Sequence, residues 1–306
     1  MNRHKFTEQA VVLGKTPYIK NLPKQDFQVP INFYSKGYVV IDDISDIESA
    51  QNIVEQLIAH IDTKKLPLWR RFRSKIQLAK IDEIPVCTDV VEGSYQVLHL
   101  DMGQPIISNI PQDMYLITAL YREKAKSQTT AKTRIMNLLG FFKHSRWGNK
   151  KQIEKRLINY AQKYGDGWSY PEKFNTQRLA CFARVVDAVA DTTDLSQDID
   201  KTMGQWFRDK ERLDVDESMK NEYEFYARKG INLGDYETFI QLKPGQVLLF
   251  DNTRVAHGRA GKRNAKEVWQ IMYGVHNATP EDIDRFRKHF VHLLKDELAL
   301  VDSNNV

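Results

Sequence analysis

A chain of 306 residues, 42% hydrophobic and 28% charged, has the composition of a soluble folded protein and excludes a disordered one. A formal charge of +5 is too modest to point to nucleic acid, and two cysteines, Cys87 and Cys181, exclude a disulfide framework. No apolar run approaches the roughly 20 residues that span a bilayer, and charges flank the short apolar patch at the amino terminus, so a cytoplasmic protein without a signal peptide is expected.

Residues 1–30 are polar and punctuated by Pro17, Pro23 and Pro30. "KGYVVIDDI" then predicts a strand, with β-formers in a row between a glycine and an acidic stop. In "DIESAQNIVEQLIAHI" the apolar residues Ile47, Ala50, Ile53, Val54, Leu57, Ile58 and Ile61 recur at helical spacing, with Ser45 as N-cap and Glu48 three residues on. From about 66 to 142 the chain is strand-rich, with "SYQVLHLDM", "MYLITALY" and "TRIMNLLGFF" the clearest runs. "KKQIEKRLINYAQKYG", "NTQRLACFARVVDAVAD" and "VDESMKNEYEFYARKG" predict helices between 150 and 230. Strands return in "YETFIQL", "GQVLLFDN" and "EVWQIMYGVH", and a last helix opens at Thr279-Pro280. Strands on both sides of a helical block predict an α+β domain over 1–306, a β-core carrying a helical insert at about 143–230.

Two places in this pattern carry chemistry. In "SYQVLHLDM", His99 and Asp101 are two apart and share one face of a strand. In "FDNTRVAHGRAG" an apolar run gives way to Asp251-Asn252 and then to His257, read as a histidine at a strand end. Two histidines and a carboxylate are the facial triad of non-haem iron oxygenases, which leaves about three octahedral positions for a bidentate co-substrate and O2. Each histidine alone is more often a structural residue. The order and separation of the three set them apart.

"LKPGQVLLFDNTRVAHGRAG" resembles the distal-histidine segment of the taurine dioxygenase / γ-butyrobetaine hydroxylase (clavaminate synthase-like) superfamily of Fe(II)/2-oxoglutarate oxygenases. Pro244-Gly245, Asp251-Asn252, His257, Gly258 and Arg259 fit that segment, and "HLDMGQP" fits the upstream His-x-Asp. The resemblance implies a double-stranded β-helix (jelly-roll) core with flanking helices and His99, Asp101 and His257 as catalytic metal ligands. It also implies that 2-oxoglutarate chelates the iron and is decarboxylated by O2 while a substrate C–H bond is oxidised. Asp101, where related halogenases carry a small residue, favours hydroxylation, desaturation or cyclisation over halogenation. The substrate class would be a small metabolite such as an amino-acid derivative.

One departure stands out. The family's arginine for the far carboxylate of 2-oxoglutarate belongs on the strand after the distal histidine, where this chain has Val268, Gln270 and Met272. Arg263 is the favoured substitute, with Arg259, Lys266 and Arg134 as further candidates, and Thr133 matches a threonine that also touches the co-substrate. Two other readings stay open: an iron oxidase that dispenses with 2-oxoglutarate, and a lapsed barrel that binds a partner. "LWRRFRSK" and "KHSRWGNKK" mix cations with aromatics, a pattern suited to an acidic carrier domain, but solvated charge is the simpler reading and nucleic acid is disfavoured. "LGKT" lacks the glycine of a phosphate loop, "DAVADTTDLSQDID" lacks the ligand spacing of a calcium loop, and Cys181, His289 and His292 read as structural.

Overall fold

The computed structural model describes residues 29, 31–62, 79–85, 95–100, 112–123, 131–138, 215–228, 230–261 and 268–281, with single helical positions at 152, 155–156, 159 and 186. In chain order the elements are α1 (Ile31–Lys36), β1 (Tyr38–Ile41), α2 (Ile47–His60), β2 (Ala79–Pro85), β3 (Tyr95–His99) and β4 (Gln112–Arg122). They continue with β5 (Lys132–Asn137), α3 (Val215–Arg228), a 3-10 turn (Leu233–Asp235), β6 (Glu237–Ile240), β7 (Val247–Asp251), β8 (Val255–Ala260) and β9 (Val268–Ala278).

The strands form two antiparallel sheets, one ordered β1-β7-β4-β9-β2 and the other β3-β8-β5-β6. From β2 to β5, and again from β7 to β9, each strand lies in the sheet opposite its predecessor, and β5–β6 is the one neighbouring pair in this run that stays within a sheet. The sheets bury one face of each against the other. Leu120, Leu248, Phe250 and Val268 from the larger sheet cluster with Ile135 and Val255 from the smaller, and Tyr38 and Leu242 complete the group. Strand β7 is buried at all five positions, because its outer face is covered too. Helix α2 lies against β4 of the larger sheet, burying Ala50, Ile53, Val54 and Leu57 at the spacing read from the sequence. Helix α3 lies against β3 of the smaller sheet.

Several expectations shift. The N-cap of α2 is Asp46 and not Ser45: its carboxylate accepts from the Ser49 amide at 2.7 Å, a better acceptor one residue closer to the first turn. The short helix α1 was not foreseen. Its six residues are too few for periodicity to register, and it ends at Gly37, whose φ of +79° suits glycine. "TRIMNLLGFF" stops being a strand after Asn137, whose amide donates to Ser35 O and Lys36 O. The predicted helices near 150–165 and 175–191 are helical at the positions described. "LWRRFRSK", "KHSRWGNKK" and most of the last helix lie outside the described residues. Among the described residues no helix is long and apolar enough to cross a membrane.

Candidate functional site

The stretch "FDNTRVAHGRAG" builds a turn and then a strand of its own. Asp251 closes β7 and accepts from the Thr253 amide at 2.9 Å, an Asx turn that reverses the chain. Its other carboxylate oxygen pairs with Arg254 Nε at 3.0 Å. The remaining nitrogens of Arg254 donate to Tyr34 O at 2.7 Å and Phe33 O at 2.8 Å, capping the end of α1. Asn252 donates to Thr118 Oγ1 at 2.7 Å, tying the turn to β4. The Asp-Asn pair is thus architectural. His257 is the third residue of β8, not the last of β7, which corrects the strand-end reading.

Pairing across β3 and β8 brings the two histidines together. His99 stands opposite His257, with ring centroids 4.2 Å apart and planes at 53°. Both rings are nearly enclosed, 4% and 6% exposed. Phe250 of the facing sheet lies 4.6 Å from the His257 ring, so the pair points into the space between the sheets. His99 Nδ1 donates to Val97 O at 3.0 Å, so Nε2 is the ring nitrogen left for another partner. Two imidazoles bound through Nε2 to one octahedral ion, about 2.1 Å from it and about 90° apart, would hold their centroids roughly 4.5 Å from each other. The observed spacing of 4.2 Å is close to that value. Strand β3 ends at His99, and Asp101, the third expected ligand, lies outside the described residues.

The expected co-substrate residues divide by face. Thr133 pairs with Arg259, and Ile135 with His257, so Thr133 and Arg259 share the inward face one step from the histidine. Both are buried, at 3% and 1% exposed. Arg263 and Lys266 lie outside the described residues. Val268, Gln270 and Met272 pair with Arg122, Leu120 and Thr118 and share the inward face, as the sequence suggested. That pairing also exposes a residue sequence reasoning missed. Arg122 ends β4 in phase with Thr118 and Leu120, stands opposite Val268, is 6% exposed and donates to Leu242 O. A charged residue continuing an every-second-residue apolar pattern was the available signal.

Arg134 must be removed from the list. It pairs with Gly258 on the outward face, beneath α3, where it forms ion pairs with Glu222 and Glu237 and donates to Tyr95 Oη. A guanidinium already neutralised by two carboxylates has no charge to offer a dicarboxylate on the far side of the sheet. Burial works against its charge, but Glu222, Tyr95 and Glu237 outweigh that and hold its pKa well above the ordinary arginine value. Burial also raises the carboxyl of Glu237, with Arg134 pulling in the opposite direction. The Tyr95 hydroxyl is pushed well up by burial and then by Glu222.

No family model matches the chain. No curated protein matches it either. Among solved structures it is similar to a taurine dioxygenase from Burkholderia xenovorans, at 10% identity over 80% of each chain with a TM-score of 0.33. It is also similar to an asparagine oxygenase, at 11% identity over 80% of this chain and 76% of the other, with a TM-score of 0.36. Likenesses at this level leave fold and chemistry to be read from the strand order and the paired histidines themselves.

Proposed function

We propose that the protein is a non-haem Fe(II) oxygenase that uses 2-oxoglutarate and O2 to hydroxylate, desaturate or cyclise a small metabolite such as an amino-acid derivative. The observation that carries this reading is the pair His99–His257, buried opposite one another between two antiparallel sheets at a ring spacing close to that of two ligands on one octahedral ion. The strand order supports the fold that goes with it. Counting β2 to β9 as first to eighth, the sheets run sixth-third-eighth-first and second-seventh-fourth-fifth, the winding of a double-stranded β-helix, with β1 added at one edge.

Bound Fe(II) would supply the redox chemistry that lets O2 attack an unactivated C–H bond. The protein's part is to hold and enclose it. His99, with its Nδ1 turned to Val97 O, and His257 would present imidazole nitrogens, and Asp101 would supply the charged third ligand. Phe250 and the apolar cluster behind it exclude water from the same space. Arg259 with Thr133 is the assignment for the far carboxylate of 2-oxoglutarate, since a guanidinium binds a carboxylate bidentately and both residues flank His257 on the inward face. Arg122, opposite Val268, is a further cation on that face among the described residues, beside the strand that lacks the family's arginine.

Anaerobic Fe(II) titration, with and without 2-oxoglutarate, tests the reading. One iron per chain is expected, with a weak visible charge-transfer band on adding 2-oxoglutarate, and His99→Ala or His257→Ala should abolish both. Iron binding with neither the band nor succinate production would replace 2-oxoglutarate with a substrate-derived electron source, and absence of iron binding would overturn the oxygenase reading.

A further inference from the structure

Strand β3 carries an irregularity at the point where it matters most. Gln96 stands opposite Arg259 and His99 opposite His257, so three steps along β3 match two along β8. Side chains alternate faces along a strand, and regular pairing without the bulge would set Leu98 opposite His257 and turn His99 to the other face. The bulge is therefore what turns the His99 ring to the same inward face as His257. A bulge leaves backbone groups out of the ladder, and these groups need partners elsewhere.

Those partners come from the outside of the sheet. The Leu98 amide, in the bulge and adjacent to His99, donates to Glu222 Oε1 at 2.9 Å. Glu222 Oε2 accepts from the Tyr95 hydroxyl and from Arg134 Nη1. Arg134 Nη1 also reaches Gln96 O at 3.4 Å. On the other side the bulge presses on Gly258, where a Cβ would lie 2.6 Å from Gln96 O and 3.0 Å from Val97 O. Glu222 projects from α3 in phase with the buried Phe225 and Tyr226, and it is itself buried.

We infer that Glu222 is a positioning residue for His99: it holds the β3 bulge from α3 and so sets the register that puts His99 opposite His257. The inference rests on the metal reading above. It separates Glu222 from Glu237, which belongs to the same buried cluster, pairs with Arg134 and Tyr223, and sits on β6, away from the bulge.

The full chain titrated with Co(II), followed by its visible d–d bands, tests it alongside thermal unfolding. Glu222→Met keeps the length and removes the acceptor. It should weaken Co(II) binding by about ten-fold or more and alter the bands, the scale at which groups behind a ligand act. Glu222→Gln can still accept from Leu98 N–H while its amide faces the Tyr95 hydroxyl, so it should lose stability yet keep the wild-type bands and an affinity close to wild type. Glu237→Gln should likewise lower the Tm without touching the metal. If Glu222→Met does not fold, the pair Glu222→Gln and Glu222→Asp decides: the shortened aspartate withdraws the acceptor from Leu98, and a wild-type Kd and spectrum for it would overturn the inference. A folded Glu222→Met with wild-type Co(II) affinity and bands, or a Glu237→Gln that disturbs the metal equally, would overturn it as well. Wild-type protein that binds no Co(II) would remove the metal reading itself, a result distinct from either of these.

Discussion

Gly258 shows how much one residue in the distal-histidine segment is constrained. Its neighbours at the Cβ position, Gln96 O, Val97 O and Val97 C, are backbone atoms of β3 and cannot rotate away. Gly258→Ala should therefore force β3 from β8 at the level of His99, at a cost of about 1–3 kcal/mol from overpacking. A lower urea midpoint together with weaker Fe(II) binding is the expected result, because the same displacement separates the two imidazoles. Arg259 is the other informative position on this strand. Arg259→Met should raise the 2-oxoglutarate concentration needed for half-saturation by about ten-fold or more, equivalent to about 1.4 kcal/mol, while leaving Fe(II) stoichiometry intact. An unchanged 2-oxoglutarate requirement would shift the assignment to Arg122, and Arg122→Met would then be the variant that loses it.

Among the elements, the turn between β7 and β8 depends on a buried charge pair. Arg254 and Asp251 have side chains with no exposed area, and the guanidinium also satisfies two carbonyls at the end of α1. Arg254→Met should cost about 3–5 kcal/mol, since it leaves a buried carboxylate without its cation. Replacing both, with Asp251→Asn and Arg254→Met, should recover part of that loss, and a double-mutant cycle on urea midpoints measures the coupling. Helix α3 plays the matching role on the smaller sheet. It was read from the sequence as part of the helical insert at about 143–230. The helix lies against β3, Glu222 accepts from the Leu98 amide, and Phe225 and Tyr226 are buried, so this helix is expected to move with the sheet.

Across the whole molecule, the two sheets predict a gradient of stability. Strands β4 and β7 are flanked on both sides within the larger sheet, whereas β1 and β2 are its edges. Amides of β4 and β7 should exchange with deuterium only through global unfolding, and those of β2 through local opening with a smaller free energy. Protection of β2 equal to that of β4 would mean that the edge is covered by further structure.

Local sequence determined a good deal of this protein. The period of Ile47 to Leu57 specifies α2, the β-former runs specify seven of the nine strands, and His99, Asp101 and His257 stand out because their chemistry is scarce and their order is meaningful. The face of Val268, Gln270 and Met272 was legible as well, since alternation on a strand is a local property. What the sequence could not supply was registration between distant segments. That Arg134 points outward to Glu222 and Glu237, that Arg122 stands opposite Val268, and that β8 is a strand separate from β7 each depend on which strands pair. The deepest case is the β3 bulge. Spacing alone puts no preference on it, and it exists because Leu98 N–H finds Glu222 more than a hundred residues away and Gly258 leaves room for the displaced backbone. Tertiary structure decided which face His99 takes, because an unpaired amide costs less when a distant helix brings a carboxylate to meet it.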